Sequence, residues 1–253
     1  MKRLVLKVGG SELDRPGFVD ELVEALKVLA RDNEIVLVHG GGKAIARLQE
    51  QLHLEPRFVE GLRVTDDASL DVAEMVLSGL VNKRLVAKLV SAGTSALGLS
   101  GVDAGLLRVV QLEHPTGSLG WVGEIATTDP TLLHTLLAAR TIPVISPISL
   151  GLDGHTYNVN ADHAATALCC ALPADELTFV TNVPGVLSGR QGECFPALSP
   201  QQTETLIAEG TINGGMIPKV RSALSATAQG VKRVRITNLA GLATGDGTCF
   251  RAA

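Results

Sequence analysis

Aromatic residues are scarce in this chain: one Trp, one Tyr and five Phe among 253 residues. Stacking platforms for bases are therefore few, and no basic stretch with interleaved aromatics is present, so a nucleic-acid partner is not expected. Cysteine is equally sparse. Cys169, Cys170, Cys194 and Cys249 form no CxxC pair and no metal-finger spacing. They are expected to be reduced core thiols, in a cytoplasmic protein. No apolar run reaches the about 18 residues a membrane span needs. The opening MKRLVLKVGG has too short an apolar stretch for a signal peptide and reads as a strand. Charge is low as well: 19% of residues are charged, with a net charge of −4, against 45% hydrophobic. Such a chain buries a sizeable core, mostly Leu, Val, Ile and Ala, as one large α/β domain or two modest lobes.

What is present is an alternation of apolar runs and helical patterns. Leu4 to Val8 reads as a buried strand ended by Gly9 and Gly10, and helical periodicity follows over Phe18 to Leu29. Glu34 to Val38 is a second buried strand, then a glycine turn, then a helix to about Leu52. This β-α-β-α order predicts a parallel sheet with right-handed crossovers. Residues 57–65 predict a hairpin turning near Gly61. Asp66 to Ser91 is one long helical pattern, with Leu70, Ala73, Val76, Leu77 and Leu80 at helical spacing. Short strands and many glycines fill 95–127, Leu132 to Ala139 is helical, and Ile142 to Ile145 is a further buried strand. A helix is expected after Asn160 and a strand over Leu177 to Val180. Ser199-Pro200-Gln201-Gln202 has the form of a capping box with proline at the first helical position. The last helix is expected over Pro218 to Gln229, with late strands at Val231 to Ile236 and Thr248 to Phe250. No repeat or low-complexity tract appears, and a lobe boundary falls near 170–175, where a second strand–helix set begins.

The glycine turn IVLVHGGGKAI fits neither familiar phosphate motif. A P-loop needs Ser or Thr after Gly42-Lys43, where Ala44 stands, and a glycine where Leu37 stands; a GxGxxG starting at Gly40 needs a small residue at Ile45. Three glycines between a buried strand and a helix still expose backbone N–H groups, permit close approach and favour an anion. Two lysines occupy costly places. Lys7 lies near the carboxyl end of a buried strand, where open α/β sheets bind ligands. Lys219 lies in a first helical turn, against the macrodipole and after the glycine turn NGGM. Both make sense beside a polyanion such as a transferring phosphate; the alternative is that both reach to water. Asp162, after Asn158 and Asn160 in NVNAD, could lie between the lysines and orient them, or Asn160 or Asp162 could simply cap the helix. Arg63 on the hairpin could grip a carboxylate bidentately or be solvated. A structural role is expected for His39, and Lys43 is expected to be solvated or an auxiliary anion contact.

Six motifs occur in order along nearly the whole chain: KVGGS from Lys7, VHGGG at His39, GLRVTD from Gly61, NVNAD from Asn158, TNVPGVL from Thr181 and GGMIPKV from Gly214. Together they resemble the N-acetyl-L-glutamate kinases of the amino acid kinase superfamily. KVGG alone points only to the superfamily; GLRVTD and NVNAD narrow it to this branch. The resemblance implies a three-layer α/β/α sandwich on a mainly parallel open sheet. An N-terminal lobe, 1–172, would bind the amino-acid substrate and dimerise, and a C-terminal lobe, 173–253, would bind ATP. Carried over by motif, Lys7 and Lys219 would stabilise the transferring phosphoryl group and Asp162 would hold the lysines. Gly41, Gly42, Arg63, Asn158 and Asn160 would bind N-acetyl-L-glutamate. Gly9, Gly10, Asn182, Val183, Pro184, Gly185, Val186, Leu187, Thr211, Ile212 and Asn213 would line the nucleotide site. Mg²⁺ would be carried by ATP, with no protein-held metal. The acceptor, a γ-carboxylate with a pKa near ~4.3, is ionised at neutral pH and needs no general base, which suits a site of lysines and backbone amides. The implied reaction gives N-acetyl-L-glutamyl 5-phosphate, a step in arginine synthesis.

The chain departs from the family pattern in three places. Asn182 stands where relatives often carry Asp, the segment TNLAGLATGDGTCF is short, and the first strand comes at once, without the N-terminal helix of arginine-inhibited hexamers. The last point implies a homodimer packed through the long helix after Thr65. The rival readings are a kinase of an aminoadipate derivative in lysine synthesis and a non-catalytic ligand-sensing member of the fold; the presence of Lys7, Asp162 and Lys219 argues against the second.

Overall fold

Residues 1–115, 117–189 and 193–251 are described by the computed structural model. From β1 (Lys2–Val8) the chain passes through α1 (Gly10–Leu13) and α2 (Phe18–Leu29) to β2 (Asn33–His39). Next come α3 (Gly42–Gln51), the hairpin β3 (Phe58–Val59) and β4 (Leu62–Arg63), and one long helical stretch. That stretch is α4 (Asp67–Glu74), a π-helical turn (Met75–Val81) and α5 (Asn82–Ser91). Then follow β5 (Ala96–Gly101), β6 (Leu107–Gln111), β7 (Gly123–Thr128), α6 (Thr131–Ala138), β8 (Ile142–Gly151), β9 (Thr156–Asn158) and α7 (Ala161–Ala171). The final part holds β10 (Glu176–Val180), β11 (Ala197–Leu198), α8 (Pro200–Ala208), α9 (Met216–Ala228), β12 (Val234–Thr237), α10 (Leu239–Thr244) and β13 (Thr248–Phe250).

The large sheet runs β11-β13-β12-β10-β1-β2-β8-β6-β7, with β5 and β9 also paired to β8. Its centre, β12-β10-β1-β2-β8, is parallel, and the antiparallel pairs lie toward the flanks. Period-two alternation decides which helix each strand residue meets. Leu4, Leu6 and Val8 pack with Phe18, Leu22 and Leu26 of α2 and with Leu85 and Leu89 of α5. Val5 faces the other way, with Leu168 of α7 and Val220 and Ala223 of α9. Helices therefore cover both faces, the expected three-layer α/β/α sandwich, and each such side chain contributes roughly 1.5–3 kcal/mol on burial. The same alternation puts Lys7 on the face of Val5, toward α7.

Several local expectations need correction. The strand expected to end at Ile145 continues to Gly151, because Ser146 and Ser149 are buried serines that mask an apolar run. The final helix is not the one after Pro218: α10 follows, short enough to show no periodicity, and Asn238 caps it by accepting from the Gly241 N–H at 2.9 Å. Gly10 does not merely end a strand but begins α1. Core burial holds for Cys169 alone; Cys170 is exposed, Cys194 and Cys249 are half-buried, and all four are free. Neighbouring positions on a helix point about 100° apart, so the adjacent pair cannot share the core face. The hairpin turns at Gly61, and both bonds of the Ser199 capping box are present.

Candidate active site

β1 and β2 run in register, with Val8 beside His39, so both glycine stretches leave the sheet at one edge. The Gly40 N–H donates to the Val8 carbonyl at 2.9 Å. A Cβ on Gly10 would lie 2.8 Å from Gly42 N and 2.9 Å from Gly41 Cα. The two turns are thus packed backbone on backbone, an approach that only glycine allows. Strand order also reverses here: β1 has β2 on one side and β10 on the other. That makes the crevice beyond its carboxyl end a topological switch point.

Two lysines reach this edge from different elements. Lys7 Nζ lies 2.6 Å from Asp162 Oδ1, the two side chains being only 16% and 14% exposed. Ser222 on α9 donates to the other carboxylate oxygen at 3.1 Å. Asn160 is the cap of α7, accepting from the Asp162 N–H at 2.8 Å, which leaves the Asp162 carboxylate free for Lys7. Lys219 has a different partner: its Nζ lies 3.3 Å from Glu12 Oε1 and donates to Thr181 Oγ1 at 3.0 Å. Among the described residues Asp162 pairs with Lys7 alone, and Lys219 pairs with Glu12. Glu12 is 4% exposed. Burial alone would raise its pKa, but the Ser11 hydroxyl and the Lys219 ammonium outweigh that and hold it below the ordinary carboxylate value. Sequence reasoning missed Glu12. Its only local signal is an acid in a first helical turn, which the helix dipole already explains, and its lysine is 207 residues away.

Arg63 is not a solvated hairpin residue. Its guanidinium is buried, donates to the Gly42 carbonyl at 3.1 Å and to Gln49 Oε1, and lies 4.6 Å from the Phe58 ring centroid. Two of five N–H donors are thus engaged, which leaves donors for an anion. Gln49, fully buried, is a second residue that sequence reasoning missed; it also donates to Ser69 Oγ at 3.0 Å. Asn158 joins this group by donating to Thr65 Oγ1 at 3.3 Å. His39 is fully buried, as a structural role requires.

Two cavities lie beside α9, one lined by Lys219 and the other by Met216. A polar one of about 480 Å³ is lined by Ser11, Glu12, Lys43, Asn182 and Lys219, among others. A second, of about 310 Å³, is lined by Val183, Val186 and Leu187 on one side and Thr211, Ile212 and Asn213 on the other. The two segments are 20–30 residues apart in sequence, and the fold brings them to one space. Pro184 and Gly185 do not line it; Gly185 packs inward, where a Cβ would lie 2.7 Å from Thr248 Oγ1. A third cavity, apolar and about 460 Å³, opens on the helical side of Gly10 and Gly41 and contains neither lysine.

The sequence profile that matches the chain is that of the amino acid kinase family, over residues 2–238. An acetylglutamate kinase from Roseiflexus castenholzii is 57% identical over 240 residues, covering 94% of this chain and 90% of that protein. The chain belongs to the amino acid kinase family, in its acetylglutamate kinase branch. Among solved structures, smu.665 from Streptococcus mutans superposes with a TM-score of 0.82 at 32% identity, covering 98% of both chains. Carbamate kinase from Giardia lamblia, bound to AMP-PNP, superposes with a TM-score of 0.67 at 15% identity over 100% of this chain and 99% of that one, and shares the fold.

Proposed function

We propose that this amino acid kinase transfers the γ-phosphoryl group of ATP to the side-chain carboxylate of N-acetyl-L-glutamate. A carboxylate oxygen bonds to the γ-phosphorus, the bond to the bridging oxygen breaks, and ADP leaves with the electron pair; no proton moves. The observation that carries this reading is the pair of lysine–carboxylate contacts, Lys7–Asp162 and Lys219–Glu12, facing one glycine-lined edge of the sheet. Two ammonium groups held there offset the charge spread over the phosphoryl oxygens in transfer. The identity to relatives named acetylglutamate kinase supports the choice of acceptor.

In this reading Gly41, Gly42, Arg63 and Asn158 hold the amino-acid substrate, and Asn160 contributes by fixing the start of α7. Gly9 and Gly10 face the phosphates. Val183, Val186, Leu187, Thr211, Ile212 and Asn213 hold the nucleoside, with Asn182 at the phosphate side. Mg²⁺ would arrive on the ATP phosphates and neutralise part of their charge. The division of labour follows the chain, amino-acid substrate over 1–172 and nucleotide over 173–253. A homodimer through the long helical stretch is supported by Met75, Leu80 and Val90, apolar side chains that are exposed on it. No helix among the described residues is long and apolar enough to cross a membrane, and we place the enzyme in cytoplasmic arginine synthesis.

The test is an acyl-phosphate assay: purified protein, ATP and Mg²⁺, with hydroxylamine trapping, offered N-acetyl-L-glutamate, glutamate or N-acetyl-aminoadipate. Clear preference for N-acetyl-L-glutamate is expected. Preference for the longer homologue would move the enzyme to lysine synthesis, and no hydroxamate from any acceptor would overturn the reading.

A further inference from the structure

We propose that Asn82, presented by the π-helical turn, is a positioning residue that sets the substrate-side glycine turn through His39. The inference rests on the reading that this turn binds the amino-acid substrate. It begins with an irregularity. Met75–Val81 is π-helical within an otherwise α-helical stretch, and such turns re-aim the residues around them. Three of those residues bear on the site. Leu77 and Val81 close over Gly41, where a Cβ would lie 2.6 Å from Leu77 Cδ2 and 3.5 Å from Val81 Cγ2. Ser78 Oγ lies 2.8 Å from Ser146 Oγ on β8. Asn82, the next residue, is fully buried.

The orientation of the Asn82 amide follows from its partners. Nδ2 donates to the Val144 carbonyl at 2.8 Å and the Leu99 carbonyl at 3.2 Å. Carbonyls only accept, so the group on that side is NH₂. The same Nδ2 faces His39 Nε2 at 3.1 Å. An amide nitrogen cannot accept, so Nε2 carries no proton there and shares the two Nδ2 hydrogens with the two carbonyls; the proton of the neutral imidazole sits on Nδ1. Nδ1 lies 3.1 Å from the Gly40 carbonyl, to which it donates. Burial lowers the His39 pKa to about 4, so the ring stays neutral at physiological pH. Gly98 on β5 completes the arrangement, since a Cβ there would overlap Asn82 Oδ1.

The consequence lies in the rigid peptide. The Gly40 carbonyl and the Gly41 N–H belong to one planar trans unit and point in opposite directions. Holding the carbonyl toward His39 aims the Gly41 N–H away from it, and the Gly40 N–H is already held by Val8. The relay Asn82–His39–Gly40 thus fixes the direction of a backbone donor in a turn of three glycines that would otherwise be free to rotate.

Two substitutions separate the arms. His39→Asn keeps a donor where Nδ1 was and loses the contact to Asn82; His39→Gln keeps an acceptor where Nε2 was and loses the bond to Gly40. Both are expected to raise KM for N-acetyl-L-glutamate about tenfold, the scale of one lost hydrogen bond, with KM for ATP within about twofold. An unchanged KM in His39→Asn would overturn the role of Asn82, and an unchanged KM in His39→Gln would overturn the link to the turn. Independently of activity, nitrogen-15 NMR of the histidine-labelled wild-type protein is expected to show His39 protonated on Nδ1. Protonation on Nε2 would overturn the relay even if the kinase reading stands; an enzyme inactive on N-acetyl-L-glutamate with the expected tautomer would count against that reading alone.

Discussion

At Gly10, where the turns after β1 and β2 meet, an added Cβ would lie 2.8 Å from backbone, whereas at Gly214 and Gly215, just before Lys219, it would meet nothing within 4 Å. The lysines differ in the same sense. The Lys7 side chain is 16% exposed and fixed on a central strand; that of Lys219 is 28% exposed, at the start of a helix. Glycine serves packing distance on the first side. On the second it serves conformation, since Gly214 has φ +51°, in the left-handed region. The turns after β1 and β2 are therefore held by close packing, and the turn before Lys219 has open space around its glycines.

The largest expected effects are on chemistry. Lys7→Met and Lys219→Met should each lower turnover by about two to three orders of magnitude, measured by hydroxamate release per folded enzyme. Retained turnover in either variant would remove that lysine from the mechanism and break the symmetry of the two pairs. Next comes pH. Between pH 6.5 and about 4 the unfolded chain binds a proton at His39 that the folded chain does not. Stability from this group is complete above pH 6.5 and falls as pH drops through that window, by up to about 3 kcal/mol. Denaturant melts of wild type and His39→Gln should differ in this slope; identical slopes would contradict the buried neutral ring.

The glycine contrast itself can be broken at two positions. Gly10→Ala forces backbone apart and should cost about 1–3 kcal/mol, while Gly215→Ala, with φ −67° and open space around it, should stay within about 0.5 kcal/mol. Equal losses in urea melts would show that the two sides are not differently built. A smaller effect on turnover than at the lysines is expected at Glu12→Gln. Removing the charge while keeping the volume should reduce kcat about tenfold, the scale of one charge-assisted bond, with KM for N-acetyl-L-glutamate unchanged. A raised KM for that substrate instead would place Glu12 on the wrong side of the site.

Much of this organisation was legible from the residues. Alternation in LVLKV marked β1 as buried and Lys7 as misplaced, and glycines after two successive parallel strands located the edge where the candidate site lies. The capping box at Ser199 and the hairpin turn at Gly61 are local signals, and local signals carry through to structure. What was not legible depends on chain returning from afar or on counting within a turn. The Glu12 partner of Lys219 is set by the α1 and α9 ends meeting across the sheet edge, and Ser222 reaches Asp162 only because α7 and α9 cover the same face. The π-helical turn leaves a helical pattern that looks continuous from Asp66 to Ser91, since one residue of extra winding does not erase the apolar spacing. Gln49 and Asn82 gave no signal at all: a lone amide on a helix looks solvated until the fold buries it.

The central claim is that two independently held lysines converge on one transferring phosphoryl group at the glycine edge. The most direct measurement is a crystal structure with N-acetyl-L-glutamate and a non-hydrolysable ATP analogue. The account predicts the γ-phosphoryl group within hydrogen-bond reach of both Lys7 and Lys219, with the substrate side-chain carboxylate between it and the Gly41–Gly42 turn. A triphosphate that runs away from either lysine, or a substrate seated off the glycine turn, would contradict it.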